Sequence, residues 1–110
     1  MHIYFSGIGG TAIGPLAIIA KQAGYTVSGS DKQDSQYIEY LRKKGITNIH
    51  IGQSRELITK VHENNPIDWY VYSSAVAIEN ADAPELKFVK NQNIKHSKRD
   101  ELLNQIINDK

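Results

Sequence analysis

The chain contains no cysteine. That excludes a disulfide framework and any thiolate metal site, and it fits a reducing compartment. There is no excess of one charge: thirteen Lys and Arg against twelve Asp and Glu leave a formal net charge of +1. Such a balance makes no electrostatic case for nucleic acid or an anionic membrane. Long apolar runs are missing too. The longest mostly apolar stretch, Ala12 to Ala20, is broken by Gly14 and Pro15 and falls short of the roughly 18 residues a membrane span needs. Met1-His2-Ile3-Tyr4-Phe5 puts no basic region ahead of a long apolar segment, so no signal peptide is expected, and the expectation is a soluble, cytoplasmic protein. There is no G-x-x-x-x-G-K-[ST] loop, so ATP held in that mode is not expected within this chain. The histidines His2, His50, His62 and His96 form no H-x-x-x-H pair, and no metal site is expected. No Ser/His/Asp set stands out. Ser6, Ser28 and Ser30 read as strand and turn residues, and no catalytic residue is expected.

What is present is a regular alternation. A length of 110 residues fits one domain. Short β-rich runs alternate with helical segments, the pattern of a parallel sheet covered by helices. The first strand is His2 to Ser6, followed by a glycine turn and a helix from about Thr11 to Ala23, with Pro15 near its first turn and Gly24 at its end. The second strand is Thr26 to Gly29. Asp34 or Ser35 caps a helix running to Lys44, with Tyr37, Ile38 and Leu41 on its apolar face and Gly45 as its stop. Thr47 to Ile51 reads as the third strand, and Ser54 caps a helix through His62. Asp68 to Ser73 reads as the fourth strand. Asp82 and Pro84 open a helix through Asn91, Ile94 to His96 is a short fifth strand, and Lys98 to Asn108 is a last helix with Leu102, Leu103, Ile106 and Ile107 on one face. Right-handed crossovers then favour a Rossmann-like, doubly wound parallel five-stranded sheet of order 3-2-1-4-5. Ligands of such a sheet bind outside the carboxyl ends of the strands, at the switch point between strands 1 and 4.

The chemistry-bearing segment is Gly7-Ile8-Gly9-Gly10-Thr11-Ala12, which satisfies G-x-G-x-x-[GA] between a strand and a helix. Gly7 permits the tight turn, Gly9 lets the backbone approach a diphosphate, and Ala12 permits close helix–strand packing. Free N–H groups of Gly10, Thr11 and Ala12 at the helix N-terminus would face the phosphates. A turn that binds nothing is the plain alternative. Asp31, at the end of strand 2, can accept hydrogen bonds from a ribose hydroxyl or a base, or it can serve as a helix cap. Ser73-Ser74-Ala75-Val76 would face the same crevice or satisfy turn backbone. Lys98-Arg99 is a short basic pair on a helix start.

These residues together resemble the Mur ligases. Met1 to Ile13 resembles the family's opening, Val27-Ser28-Gly29-Ser30-Asp31 its second strand and Ile49-His50-Ile51-Gly52 its third. Tyr72-Ser73-Ser74-Ala75-Val76, with Asn80 and Pro84-Glu85, resembles the segment after its fourth strand. Lys98-Arg99-Asp100-Glu101-Leu102-Leu103 resembles the helix that closes its first domain. The resemblance implies a three-domain ATP-dependent ligase of peptidoglycan biosynthesis, nearest the branch that joins L-alanine to UDP-N-acetylmuramic acid. The recycling branch that adds a whole tripeptide shares this domain. In such an enzyme the first domain binds UDP, the central one binds ATP and Mg²⁺, and an acyl phosphate on the muramyl carboxylate is attacked by the incoming amine. Residues 1–110 then correspond to a single N-terminal UDP-binding domain without the ATP-binding and C-terminal domains, which binds without catalysing. By position, Gly9, Gly10, Thr11, Ala12 and Ile13 would hold the diphosphate, Ser30 and Asp31 would meet the uridine, and Ser73, Ser74 and Ala75 would wall the pocket. Gln53 stands where the family often has His, and Ala12-Ile13-Gly14-Pro15 replaces its usual Gly-Met-Ser. An NAD-dependent oxidoreductase domain, with Asp31 as the nicotinamide-selective acid, and a nucleotide-sensing module without chemistry are the competing readings.

Overall fold

The structure, a computed structural model, describes residues 1–10, 13–72 and 84–108. In chain order the elements are β1 (His2–Ser6), α1 (Gly14–Gln22), β2 (Thr26–Asp31), α2 (Gln36–Lys43), β3 (Ile49–Ile51), α3 (Arg55–Asn64), β4 (Trp69–Tyr72), α4 (Pro84–Asn91), β5 (Lys95–Lys98) and α5 (Arg99–Asn108). The five strands form one parallel sheet of order β3-β2-β1-β4-β5, the topology expected from the alternation. No helix among the described residues is long and apolar enough to cross a membrane.

Strand alternation sorts the core into two layers. Ile3 and Phe5 of β1 and Trp69 and Val71 of β4 point to one face, where they meet Leu16, Ala17 and Ala20 of α1, Leu41 of α2 and Leu102 of α5. Tyr4 and Tyr70 point to the other, where they meet Ile58 and Val61 of α3 and Leu86, Phe88 and Val89 of α4. Each face buries aliphatic and aromatic side chains worth about 1.5–3 kcal/mol apiece. The central strands are therefore buried on both sides, as parallel strands require.

The boundaries follow local chemistry. Ser35 and Ser54 cap α2 and α3 by accepting the Ile38 and Leu57 N–H groups at 3.2 Å each. This settles the choice between Asp34 and Ser35: Asp34 instead meets Arg42 at 3.3 Å on the surface. Gly24 and Gly45 stand just past α1 and α2, as their positions predict. Several bounds differ from the sequence reading, among them the start of β4, at Trp69 and not Asp68. β2 runs two residues further, to Asp31, because Ser30 and Asp31 pair with His50 and Ile51. β3 is shorter, beginning at Ile49. β5 lies later, at Lys95–Lys98, because Ile94 is used as a core anchor before the strand begins.

Gly29 sets the closest approach in the sheet. A Cβ there would lie 2.6 Å from the Phe5 carbonyl oxygen and 2.7 Å from Ile8 Cδ1. Backbone cannot yield as a flexible side chain can. Gly29→Ala is therefore expected to cost about 3 kcal/mol or more by overpacking. Urea unfolding tests this, and an unchanged midpoint would remove the account of why β2 carries glycine here.

Candidate functional site

At the carboxyl end of β1 the chain must leave the sheet and turn back into α1. Gly7 makes that turn with φ +73°, a conformation glycine adopts without steric cost. The turn is fastened to the neighbouring strand: the Ser30 carbonyl accepts the N–H of Gly7 at 2.8 Å and of Ile8 at 3.0 Å. Gly10, expected to present a free donor, instead gives its N–H to the Gly7 carbonyl at 2.9 Å. The regular helix begins later than Thr11. Gly14 donates to the Gly10 carbonyl at 2.9 Å, Ile13 is the N-cap residue, and Pro15 follows in the first turn.

Asp31, at the end of β2, sits against this turn. Its Oδ2 accepts the Gly9 N–H at 2.8 Å and its Oδ1 accepts the Lys32 N–H at 2.7 Å. Each oxygen keeps a further lone pair for a ligand hydroxyl. Gly9 is glycine for a reason beyond room for a ligand. A Cβ there would lie 2.8 Å from Asp31 Oδ2 and 2.9 Å from Ile38 Cγ1, so a larger residue breaks the turn before any ligand arrives. The close helix packing expected of Ala12 is seen at Gly14, where a Cβ would lie 2.9 Å from the Tyr37 ring.

Ser30, which the resemblance assigns to the uridine, has its hydroxyl turned inward. It is fully buried, and its Oγ donates to Glu85 Oε2 at 2.6 Å. The Tyr4 hydroxyl donates to the same oxygen at 2.8 Å and the Tyr70 hydroxyl to Oε1 at 3.0 Å. Glu85 is itself 1% exposed. Burial raises its carboxyl above the usual range, while hydrogen bonds from Ser30, Tyr4, Tyr70 and Ser6 pull the other way. Burial first, and the adjacent Glu85 charge second, push the Tyr4 and Tyr70 phenols far up as well. Gln53 reaches from the loop after β3 to the end of β1, donating from Nε2 to Ser6 Oγ at 2.9 Å. The turn, Ser30, Asp31 and Ile13 are thus gathered at the carboxyl edge of the sheet. Thr11, Ala12, Ser73, Ser74 and Ala75 lie outside the described residues.

Sequence reasoning missed the role of Glu85. An acid right after Pro84 at a helix start reads as a charge placed on the helix dipole, and nothing local says that it points inward. His2 was also only a strand residue by sequence. It is buried at the opposite edge of the sheet, with Nδ1 2.9 Å from the Asn65 carbonyl and Nε2 2.6 Å from Ser28 Oγ. A carbonyl can only accept, so Nδ1 carries the proton and Ser28 donates to Nε2. Among the described residues no three metal-ligating side chains gather.

Two outcomes test this geometry. Asp31→Ala removes charge-assisted bonds to two backbone donors and is expected to cost about 1.5–3 kcal/mol; a stability within error of wild type in urea would show that Asp31 does not fasten Gly9. The second concerns pH. The folded protein holds the Glu85 proton more tightly than the unfolded chain does, so this group's contribution to stability is complete below its ordinary value of 4.5. That contribution is lost as pH rises from there through the raised native value. Glu85→Gln is expected to lack that decline, and parallel stability–pH curves for the two proteins would contradict it.

The family model described as "Mur ligase family, catalytic domain" matches residues 2–110. The UDP-N-acetylmuramate–L-alanine ligase of Lachnoclostridium phytofermentans is 40% identical over 107 residues, which are 97% of this chain and 21% of that protein. Two crystal structures superpose closely. A murein peptide ligase from Psychrobacter arcticus gives a TM-score of 0.80 at 25% identity, covering 96% of this chain and 20% of that one. The UDP-N-acetylmuramate–alanine ligase from Thermotoga maritima gives 0.79 at 26% identity, covering 98% and 23%. The chain therefore spans about a fifth of the length of the relatives it matches, and over that span it belongs to the Mur ligase family.

Proposed function

We propose that this chain is the UDP-binding first domain of an ATP-dependent UDP-N-acetylmuramate–L-alanine ligase of peptidoglycan biosynthesis. The observation that carries the reading is the β1–α1 glycine turn beside the switch point between β1 and β4, in a chain 40% identical along nearly its whole length to such a ligase. The occupied donors support a particular seat for the ligand. The Gly9 N–H is held by Asp31 and the Gly10 N–H by Gly7. A diphosphate set directly on Gly9 would face the Asp31 carboxylate, a like charge. The phosphates therefore belong on the side of Thr11, Ala12 and Ile13, where the N-terminal end of α1 supplies the positive end of the helix dipole. The nucleoside belongs on the Asp31 side. There a carboxylate oxygen accepts a ribose hydroxyl or a base N–H, with Ser73, Ser74 and Ala75 closing the pocket. Gly9 and Gly10 shape the cradle more than they donate to it, and Ser30 supports it from below.

ATP and Mg²⁺ belong to further domains of the full-length enzyme, since this chain has no loop built for them. The chain alone binds and does not ligate. A second reading, the ligase that attaches a whole tripeptide to UDP-N-acetylmuramic acid, is favoured by the TM-score of 0.80 to the Psychrobacter arcticus murein peptide ligase. L-alanine and tripeptide offered to the full-length enzyme separate the two.

For this chain, calorimetric titration with UDP-N-acetylmuramic acid and with NAD is decisive. UDP-N-acetylmuramic acid is expected to bind more tightly and to shift the amide signals of Gly9, Gly10 and Ile13. Tighter binding of NAD would overturn the reading in favour of an oxidoreductase domain.

A further inference from the structure

Glu85 is poorly explained as core filling. Removing a carboxyl from water is costly, and an apolar residue of similar size would fill the same volume without that penalty. Its place is defined by what it joins. The residue comes from the first turn of α4, after the chain has crossed the switch point. It binds one hydroxyl from β1 (Tyr4), one from β2 (Ser30) and one from β4 (Tyr70). The Tyr4 and Tyr70 rings stack beneath it with centroids 5.7 Å apart. Ser30 hydrogen-bonds the glycine turn twice, through its carbonyl to Gly7 and Ile8, and Ser6, which also bonds Glu85, leads into that turn.

We infer that Glu85 is the positioning residue of the glycine turn: by fixing the Ser30 side chain from below, it holds the Ser30 carbonyl where Gly7 and Ile8 donate to it, and so sets the shape of the cradle above. A carboxyl group suits this task, because its two oxygens offer acceptors to hydroxyls from three strands at once. The consequence for a ligand rests on the UDP-binding reading. The coupling from Glu85 to the turn does not.

The test follows the Gly7 and Ile8 amides by NMR and hydrogen exchange, with the amides of β4 as internal reference. Glu85→Met removes the acceptor, and Ser30→Ala removes the link. Each is expected to speed exchange at Gly7 and Ile8 by about tenfold relative to β4, the scale of one lost hydrogen bond. Glu85→Gln, which keeps an oxygen for Ser30, restores the slow exchange. Tyr4→Phe frees a different partner of Glu85 and leaves the turn amides as they were. If Glu85→Met does not fold, Ser30→Ala carries the comparison. Normal protection at Gly7 and Ile8 in Ser30→Ala, or equal acceleration in Tyr4→Phe, overturns the inference and leaves Glu85 as ordinary structure. UDP-N-acetylmuramic acid is then titrated into wild type and Ser30→Ala, with a several-fold weaker affinity expected in the variant. If wild type shows no shift in its turn signals while the exchange pattern holds, the ligand reading fails and the positioning role stands.

Discussion

The carbonyl oxygen of Ser30 is the point on which the site depends. It accepts two successive N–H groups, from Gly7 and Ile8, where β1 breaks away from the sheet. A parallel strand that ends at a tight turn leaves backbone donors without ladder partners, and buried donors need acceptors. Ser30, the residue of β2 in register with the last residue of β1, supplies one. This end of β2 in turn needs pairing on its other side, which His50 and Ile51 of β3 give to Ser30 and Asp31. A three-residue edge strand thus serves a turn two strands away.

From this constraint the glycines sort themselves. Gly7 is required by its φ. Gly29 and Gly9 are required by neighbours that would meet a Cβ at under 3 Å. The motif G-x-G-x-x-[GA] is usually explained by what the ligand needs. Here Gly9 is already demanded by Asp31 and Ile38 in the absence of any ligand. The described part of the turn is fastened in the absence of any ligand, so on the proposed UDP-binding reading it would need less ordering on binding.

The parts legible in the sequence were those written in local chemistry. β1 keeps the bounds its sequence suggests because the β-rich run His2 to Ser6 ends abruptly at Gly7. The helix caps at Ser35 and Ser54, the stops at Gly24 and Gly45 and the sheet order all followed from residues adjacent in the chain. The parts that escaped depend on distant contacts. Gly10 looks like a donor until its partner, Gly7, is seen three residues back. Ser30 reads as a ligand contact, and nothing local shows that its hydroxyl is bound by Glu85, 55 residues on. Asp31 had two readings, ligand acceptor or cap, and the geometry adds a third: it ties one strand end to the turn of another. No periodicity marks an inward-facing acid at a helix start, and its carboxyl meets three strands only after the fold has brought them together.

Those distant contacts also explain why polar residues crowd this end of the sheet and not its middle. Tyr4 and Tyr70 lay their rings in the apolar layer beside α3 and α4, and their hydroxyls reach up to Glu85. Ser6 and Ser30, one register step nearer the carboxyl edge, are bound by Gln53 and Glu85. The layer therefore grades from hydrocarbon, through phenol hydroxyls, to a fully occupied polar floor under the turn. A buried network of this kind adds little stability over an apolar core, but it admits few alternative arrangements. On the proposed UDP-binding reading, definite geometry would matter more than stability, because backbone N–H groups would have to meet a diphosphate at hydrogen-bond distance. A turn resting only on apolar side chains could slide, whereas one resting on Ser30 and Glu85 has its height and tilt set by bonds of fixed length and direction.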